Sequence, residues 1–182
     1  MENQYKYAEE MNFAAGNCLQ KGDYFGALEF FSKALESLPE NFREARAQVY
    51  CNVGHTLVTL QNFEDALTSF ANSAELFQQM GRKIETGEQF GNIGSVYRDI
   101  EEWDKSLDVY FKALDFFKDV GYERGVADQY SNIAYSYSKK GEPKNAYYFF
   151  VEAKVLYDKL GNIEKAQLCE QNLQAIKACL EG

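Results

Sequence analysis

A period of 40 residues runs through the chain and constrains its fold more than any other feature. It is clearest in five asparagines, which follow one another at that interval: Asn12, Asn52, Asn92, Asn132 and Asn172. Around three of them an aromatic residue, a small residue, asparagine, an aliphatic residue and a second small residue recur, at 50–54, 90–94 and 130–134. Such a period indicates stacked copies of one supersecondary unit, none of which can bury its apolar face alone.

Each repeat is predicted to form two helices. In the third repeat, apolar residues recur at the i, i+3, i+4 and i+7 positions from Phe90 onwards, which predicts a first helix over 85–100. A second helix is predicted over 103–120. A glycine then stands where a helix often ends on a left-handed residue, at Gly81, Gly121 and Gly161. The two prolines, Pro39 and Pro143, fall at predicted helix boundaries, so we expect a nearly all-helical chain.

The repeat resembles the tetratricopeptide repeat, a helix-turn-helix unit of about 34 residues with aromatic, glycine, alanine and proline residues at fixed offsets. The first unit resembles it most closely, through Gly22, Asp23, Tyr24, Ala27, Leu28, Phe31, Ala34, Leu35 and Pro39. The later units resemble a longer variant found in cell-polarity scaffolds and some bacterial regulatory proteins. The resemblance implies an all-α fold, a right-handed α-solenoid of about four helix-turn-helix units with a C-terminal capping helix.

We expect a single domain over 1–182, with repeats at approximately 6–40, 43–81, 83–121 and 123–161. The segment 162–181 is predicted to be a capping helix. Its apolar residues can cover the last repeat: Ile163, Ala166, Cys169, Leu173, Ile176 and Leu180. Polar residues take positions that are aromatic or small in the repeats, namely Glu170, Gln174 and Lys177, as the end of a stack requires.

Composition argues against several classes of function. No apolar run reaches the roughly 18 residues that cross a bilayer, and the amino terminus does not resemble a signal peptide, so we expect a soluble, cytoplasmic protein without a membrane partner. A net charge of −9 and the lack of a basic cluster argue against nucleic acid. The cysteines lack C-x-x-C spacing and are predicted to be reduced core thiols: Cys18, Cys51, Cys169 and Cys179. We expect no cofactor and no metal.

The asparagines are predicted to face away from the core. With Tyr50 at the centre of the core face of its helix, Asn52 falls at about 200° on the helical wheel. The tetratricopeptide resemblance implies that first helices line a concave groove, and that Asn52, Asn92 and Asn132 form an asparagine ladder pairing with an extended peptide. A carboxamide has the donors and the acceptor for that task. The predicted peptide-binding residues are Asn52, Asn92, Asn132, Gln48, His55, Glu88, Ser95, Arg98, Asp128, Tyr135 and Lys139.

An alternative is that the asparagines bond neighbouring helices or water and only hold the repeats in register.

If the asparagines do bind a peptide, three of them would contribute about 3 kcal/mol of binding free energy, whereas a micromolar complex needs about 8 kcal/mol. Side chains such as Gln48, His55, Arg98 and Tyr135 would then have to supply the remaining affinity and the selectivity. In the first unit the landmarks shift by one residue, so Asn12 is predicted to flank the groove, and Asn172 belongs to the cap.

The predicted function is a scaffold or adaptor for protein–protein interaction. Acidic residues on or near the groove favour a neutral or basic peptide, namely Glu9, Glu88, Asp99 and Asp128. A heat-shock chaperone tail is not expected, because the positions of the clamp that binds it in related domains hold Asn12, Gly16, Gly91 and Ser95. Two alternatives stay open: a homo-oligomer assembled through an apolar strip of Leu168, Ala175 and Cys179 on the cap, and a peptide-sensing regulatory subunit.

Catalysis is not expected. The single histidine, His55, has only Cys51 one turn away as a candidate partner. No third group or oxyanion donor accompanies this pair in the sequence.

Overall fold

The computed structural model describes residues 2–181, and almost all of them are helical. Nine α-helices, and no strand, occur in this part of the chain: α1 (Glu2–Gln20), α2 (Tyr24–Ser37), α3 (Arg43–Thr59), α4 (Phe63–Gln79), α5 (Lys83–Asp99), α6 (Trp103–Asp119), α7 (Glu123–Lys140), α8 (Pro143–Lys159) and α9 (Ile163–Glu181). Helices α1 to α8 form four successive pairs, and within each pair the first helix packs against the second. The odd-numbered helices α1, α3, α5 and α7 are called first helices below.

The chain divides into two compact units. Unit 1, Met1–Arg82, holds α1 to α4, and unit 2, Lys83–Gly182, holds α5 to α9. Each unit buries an apolar core of its own. The grouping of all repeats into one domain stays a prediction.

Left-handed residues end the helices as the glycine pattern predicts. Gly81, Gly121 and Gly161 have φ angles of +70°, +68° and +69°, and each follows the second helix of a pair. Pro143 begins α8, and Pro39 follows the end of α2, so both prolines lie at helix boundaries. The expected helix ends in these regions are confirmed.

The core of a pair forms where an aromatic ring of the second helix lies on a glycine of the first. A Cβ atom added to Gly54 would lie 2.6 Å from the ring of Phe70, and one added to Gly94 would lie 2.6 Å from the ring of Tyr110. Both rings are fully buried. The aromatics used to mark the core face of the first helices are half-buried: Tyr50, Phe90 and Tyr130. Phe90 and Tyr130 pack against the core as expected, but the bare glycine backbone admits the second-helix rings, which are buried more deeply.

Helix α9 packs against α8 with the apolar face that the cap requires. Four of its residues are buried: Ala166, Cys169, Leu173 and Ile176. Two of the predicted covering residues are wrong, since Ile163 is 70% and Leu180 is 45% exposed. They lie in the first and last turns of the helix.

The four cysteines are free thiols, as expected. Burial raises the pKa of the Cys169 thiol, whereas Cys179 is exposed, so the prediction of a core thiol is wrong there. No helix in the described residues is long and apolar enough to cross a membrane.

Candidate functional site

The first helices of unit 1 carry a polar surface on α1 and α3. We call it the unit 1 face, and it consists of Asn12, Gln48, Asn52 and His55. The Nδ2 atom of Asn52 donates to Oδ1 of Asn12 at 3.4 Å, and Nε2 of Gln48 donates to Oδ1 of Asn52 at 3.4 Å. Both distances exceed the usual length of an N–H···O bond, so these contacts are weak. The amides nevertheless link α1 to α3 through Asn12, which the sequence placed beside the groove.

His55 extends the unit 1 face by one turn. Its ring lies edge-on to the buried ring of Phe70, with 5.0 Å between the ring centroids. His55 is exposed at the surface, but partial burial of its ring lowers its pKa, which favours a neutral imidazole that can both donate and accept a hydrogen bond. No group of three His, Cys, Asp or Glu residues in the described chain lies close enough together to hold a metal ion.

A cleft of about 810 Å³ opens in unit 1 next to these amides. Its walls come from α1, the connection between α2 and α3, and the beginning of α3. Tyr5 stacks on Phe42 at the cleft, with ring centroids 5.2 Å apart, and the charge of Glu9 raises the pKa of Tyr5. The sequence does not predict this cleft, because the connection at 38–42 carries no periodic pattern. The lining residues are Tyr5, Ala8, Glu9, Asn12, Leu38, Asn41, Phe42, Arg43, Glu44, Ala45, Gln48, Val49 and Met80.

The first helices of unit 2 carry two parallel strips of side chains, which together we call the unit 2 face. Each strip uses the spacing i, i+4, i+7 and i+11, which keeps its members on one side of a helix. The strip on α5 consists of Glu88, Asn92, Ser95 and Asp99. The strip on α7 consists of Asp128, Asn132, Tyr135 and Lys139. Helices α5 and α7 are in contact, so the strips are neighbours.

The two asparagines of the unit 2 face differ in their internal contacts. Nδ2 of Asn92 donates to Oε1 of Gln89 at 3.3 Å, which leaves its own Oδ1 available. Asn132 forms no side-chain hydrogen bond with any residue that the structure describes. Both asparagines are partly exposed, so a ligand can reach them.

A buried amide packs against the same part of α5, and no pattern in the sequence predicts it. Gln129 of α7 is only 5% exposed and packs over Gly91 of α5, where an added Cβ atom would lie 3.2 Å from Nε2. Its Oε1 atom has no hydrogen-bond partner within the described residues. An unpaired buried carbonyl oxygen destabilises the folded state by about 1–3 kcal/mol.

Two predicted binding residues are engaged inside unit 2. Asp128 accepts a hydrogen bond of 2.7 Å from the hydroxyl of Tyr157 on α8 and forms an ion pair with Lys165 on α9. Burial, and then the neighbouring Asp128, raise the pKa of Tyr157. Ser95 lies 3.1 Å from the hydroxyl of Tyr110, another buried phenol whose pKa is raised by burial. Asp128 and Ser95 therefore hold helices together, and their role in ligand binding stays a prediction.

Tyr135 is the exposed aromatic of the unit 2 face, at 41% exposure. The guanidinium of Arg98 lies 6.0 Å and the ammonium of Lys139 lies 5.4 Å from the centroid of its ring. Arg98 also donates two hydrogen bonds, of 3.0 and 2.8 Å, to Oδ1 of Asp99. Lys139 forms no ion pair with the described residues, so its charge stays available at the surface.

Glu88 lies at the opposite end of the unit 2 face. Its side chain is exposed and forms no ion pair within the described chain. Partial burial raises its pKa, and the charge of Glu85 adds to this effect, whereas Arg124 on α7 lowers the pKa. The carboxylate of Glu88 therefore lies near the like charge of Glu85, and Arg124 compensates for it only in part.

Comparison with known proteins identifies the repeat. Two family models, both described as tetratricopeptide repeat, match residues 47–83 and 89–116. No curated protein matches the sequence.

Solved structures with the same fold cover nearly the whole chain. The apo form of RapI is 15% identical, with a TM-score of 0.87 over 94% of this chain and 48% of that one. A signal transduction ATPase with numerous domains and a tetratricopeptide repeat sensor, from Pyrococcus horikoshii, is 17% identical, with a TM-score of 0.87 over 95% of this chain and 27% of that one. The Rap conjugation gene regulator of plasmid pLS20, in complex with the Phr* peptide, is 16% identical, with a TM-score of 0.66 over 94% and 52%.

This chain thus spans about half the length of the two Rap proteins and about a quarter of the ATPase. At these identities the likeness shows the fold alone. The prediction of an all-α repeat fold is confirmed.

Proposed function

We propose, from the premise that the chain belongs to the tetratricopeptide repeat family, that it is an interaction scaffold whose first helices bind an extended peptide or protein segment. The observation that carries this proposal is the pair Asn92 and Asn132. They occupy the same position on neighbouring helices, and Asn132 has no internal partner in the described chain. A purely structural asparagine at that position would be expected to bond a neighbouring group.

The spacing of the two asparagines suits an extended chain. Packed helices lie about 8–10 Å apart, which is the length of about three extended residues. Oδ1 of Asn92 can accept a hydrogen bond from a peptide N–H, and Nδ2 of Asn132 can donate one to a peptide C=O about three residues away. Because backbone groups alone are recognised, this pairing supports binding without strict sequence specificity.

The proposed partner is a neutral or basic peptide. The chain carries a net charge of −9, which favours association with such a partner over an acidic one. Unit 1 carries a polar surface of its own, where the amide of Asn52 makes weak contacts with both Asn12 and Gln48. We assign the main peptide contacts to unit 2, because Asn132 has no internal partner in the described chain.

The test is selection of binders from a display library of random 12-residue peptides, followed by affinity measurements on synthetic copies. Asn92→Ala combined with Asn132→Ala should weaken binding of the selected peptides by about tenfold or more, since two hydrogen bonds are lost. Asn172→Ala on α9 is the matched control, because its Nδ2 donates to the backbone oxygen of Leu168. Circular dichroism should show unchanged helicity in both variants. Equal affinity for the wild type and the double variant would contradict the proposal.

Two alternatives rest on observations of their own. A peptide-sensing regulatory subunit is supported by the similarity to a Rap regulator whose structure holds a peptide. Self-assembly is supported by the surface of α9, where Leu168 is 56% exposed and Cys179 is exposed. A sedimentation coefficient that stays monomeric at all concentrations would rule out self-assembly.

A further inference from the structure

The side chains of the unit 2 face change in chemistry along the helices. The strips begin at the carboxylates of Glu88 and Asp128, and pass through the amides of Asn92 and Asn132. The α5 strip ends at Asp99, whose carboxylate is paired with Arg98, and the α7 strip ends at Lys139. At this end the guanidinium of Arg98 and the ammonium of Lys139 flank the ring of Tyr135. Eleven residues separate the first and last positions of each strip, which corresponds to about 16 Å along a helix.

One carboxylate at the acidic end is available to a ligand. Asp128 is neutralised by Lys165 and accepts a hydrogen bond from Tyr157. Glu88 has no ion pair in the described chain, and Arg124 is the cation that lies close enough to affect it. A basic group of a ligand would therefore meet Glu88.

The opposite end has an available cation beside an aromatic surface. Arg98 is held by Asp99, whereas Lys139 lies over the ring of Tyr135 and forms no ion pair with the described residues. An ammonium without an acidic partner, next to an exposed ring, suits a carboxylate whose neighbouring methylene groups pack on that ring.

The helix dipole does not account for this arrangement. Acidic residues are favoured in the first turn of a helix and cations in the last, by about 0.3–1 kcal/mol. Lys139 lies in the last turn of α7 and fits that rule. Glu88 lies beyond the first turn of α5, and the dipole gives no reason for the exposure of Tyr135.

We propose that the unit 2 face selects an extended peptide in which a basic residue and an acidic group lie about five positions apart. The basic residue contacts Glu88, the acidic side chain or terminal carboxylate contacts Lys139, and the backbone between them pairs with Asn92 and Asn132. Glu88 and Lys139 lie on different helices, so the distance between the two ends combines about 16 Å along the helices with about 8–10 Å between them, which gives about 18 Å. An extended chain covers that distance in about five residues, at about 3.3–3.6 Å per residue. This inference rests on the proposed function and adds the charge pattern of the ligand.

Peptide selection on charge variants tests the inference. The same 12-residue library is selected on the wild type, on Glu88→Gln and on Lys139→Gln. Asp108→Asn on α6 and Lys144→Gln on α8 are controls, because they make the same charge changes on exposed positions of second helices. The wild type and the controls should enrich peptides with a basic and an acidic residue four to six positions apart. Glu88→Gln should lose the preference for the basic residue, and Lys139→Gln should lose the preference for the acidic residue.

Affinities of one selected peptide then form a double-mutant cycle. Neutralising its basic residue should weaken binding to the wild type about three- to tenfold, but leave binding to Glu88→Gln unchanged, since the partner charge is already absent. The acidic residue should show the same relation with Lys139→Gln. A peptide with the two charges adjacent should bind less tightly than one with them five positions apart.

Two outcomes separate this inference from the proposed function. Selected peptides that depend on Asn92 and Asn132 but lack a basic and an acidic residue at this spacing would overturn the inference and leave the scaffold function supported. Peptides that carry the same charged residues whichever variant selects them would do the same. Selected peptides that bind the double asparagine variant as well as the wild type would overturn the scaffold function. A role of Glu88 and Lys139 in the helix dipole alone would change thermal stability and leave peptide preference unaltered.

Discussion

Unit 1 and unit 2 use the same repeat but join their first helices differently. In unit 1, α1 and α3 border a cleft of about 810 Å³ and meet through the long amide contact of Asn12 and Asn52. In unit 2, α5 and α7 are packed together, with Gln129 over Gly91. The residue 80 positions before Gln129 is Val49, a buried side chain that lines the cleft of unit 1. The same position of the repeat thus holds a buried amide packed against a neighbouring first helix in unit 2 and an apolar side chain at a cleft in unit 1.

The second difference concerns the polar residues of the faces. In unit 1 the position of Asp128 is taken by Gln48, which is exposed and makes one weak contact with Asn52. In unit 2 Asp128 joins α7 to α8 and α9. A repeat position that is open to solvent in one unit is a structural link in the other, so periodicity alone does not assign its role.

The largest expected effect is on this link. Asp128→Ala should reduce the free energy of unfolding by about 2–3 kcal/mol, because the buried hydroxyl of Tyr157 loses its charged acceptor and Lys165 loses its ion pair. Gln48→Ala should change it by less than about 0.5 kcal/mol, since its side chain is exposed. Urea unfolding followed by circular dichroism measures both. Similar losses of unfolding free energy in the two variants would contradict the conclusion that this repeat position has different roles in the two units.

A smaller effect is expected from the buried amide. Gln129→Met should raise the free energy of unfolding by about 1–2 kcal/mol, because the unpaired Oε1 is removed and the volume is kept. The reciprocal change, Val49→Gln, should lower it by about 1–2 kcal/mol by placing an amide in an apolar site of unit 1. Chemical denaturation measures both changes, and a rise in unfolding free energy for Gln129→Met with a fall for Val49→Gln would support the difference between the units. Destabilisation by Gln129→Met would indicate that the amide has a partner in solution.

The fold follows from the sequence because its signals are local. The 40-residue period, the glycines and the prolines predict where helices begin and end, since a left-handed residue or a missing donor acts within one turn. Second-helix rings at the centre of the core were missed. Their placement depends on the gap left by Gly54 and Gly94, which only a neighbouring helix fills.

The candidate site was less accessible from sequence. Helical spacing predicts which residues share a face, and the strips of α5 and α7 follow it. It does not predict that Asp128 finds Lys165, which lies 37 residues later on another helix. Asn12 was assigned to the edge by a one-residue shift, but α1 has a neighbouring first helix on one side only in the described chain, so repeat spacing does not set its rotation.

A weaker effect is expected in the turns within pairs, where both units carry a side chain at a left-handed position. Gln61 in unit 1 and Glu101 in unit 2 have φ angles of +58° and +61°, whereas Gly22 and Gly141 occupy the corresponding turns at +75° and +81°. A left-handed side-chain residue costs about 1–2 kcal/mol, partly offset by the greater unfolded-state entropy of glycine. Gln61→Gly and Glu101→Gly should each raise the melting temperature, with a gain of about 0.5–1 kcal/mol. A fall in the melting temperature of either variant would show that the original side chain makes a contact that stabilises the turn by more than its left-handed backbone destabilises it.

The smallest effect distinguishes the units by pH. His55 lies on the unit 1 face, and Ser95, which does not titrate, occupies the same position in unit 2. Burial lowers the pKa of His55 below its ordinary 6.5, so the unfolded chain binds the proton more tightly than the folded one. Its contribution to stability is therefore complete above about pH 6.5 and is lost as pH falls through the lowered folded-state pKa. His55 is the single histidine, so His55→Gln should flatten the dependence of unfolding free energy on pH between about 6.5 and 5.5, above the range where carboxylates titrate. Ser95→Ala serves as the control and should leave that slope unchanged. An unaltered slope in His55→Gln would mean that the imidazole is as accessible in the folded chain as in the unfolded one, and that the packing of His55 against Phe70 does not persist in solution.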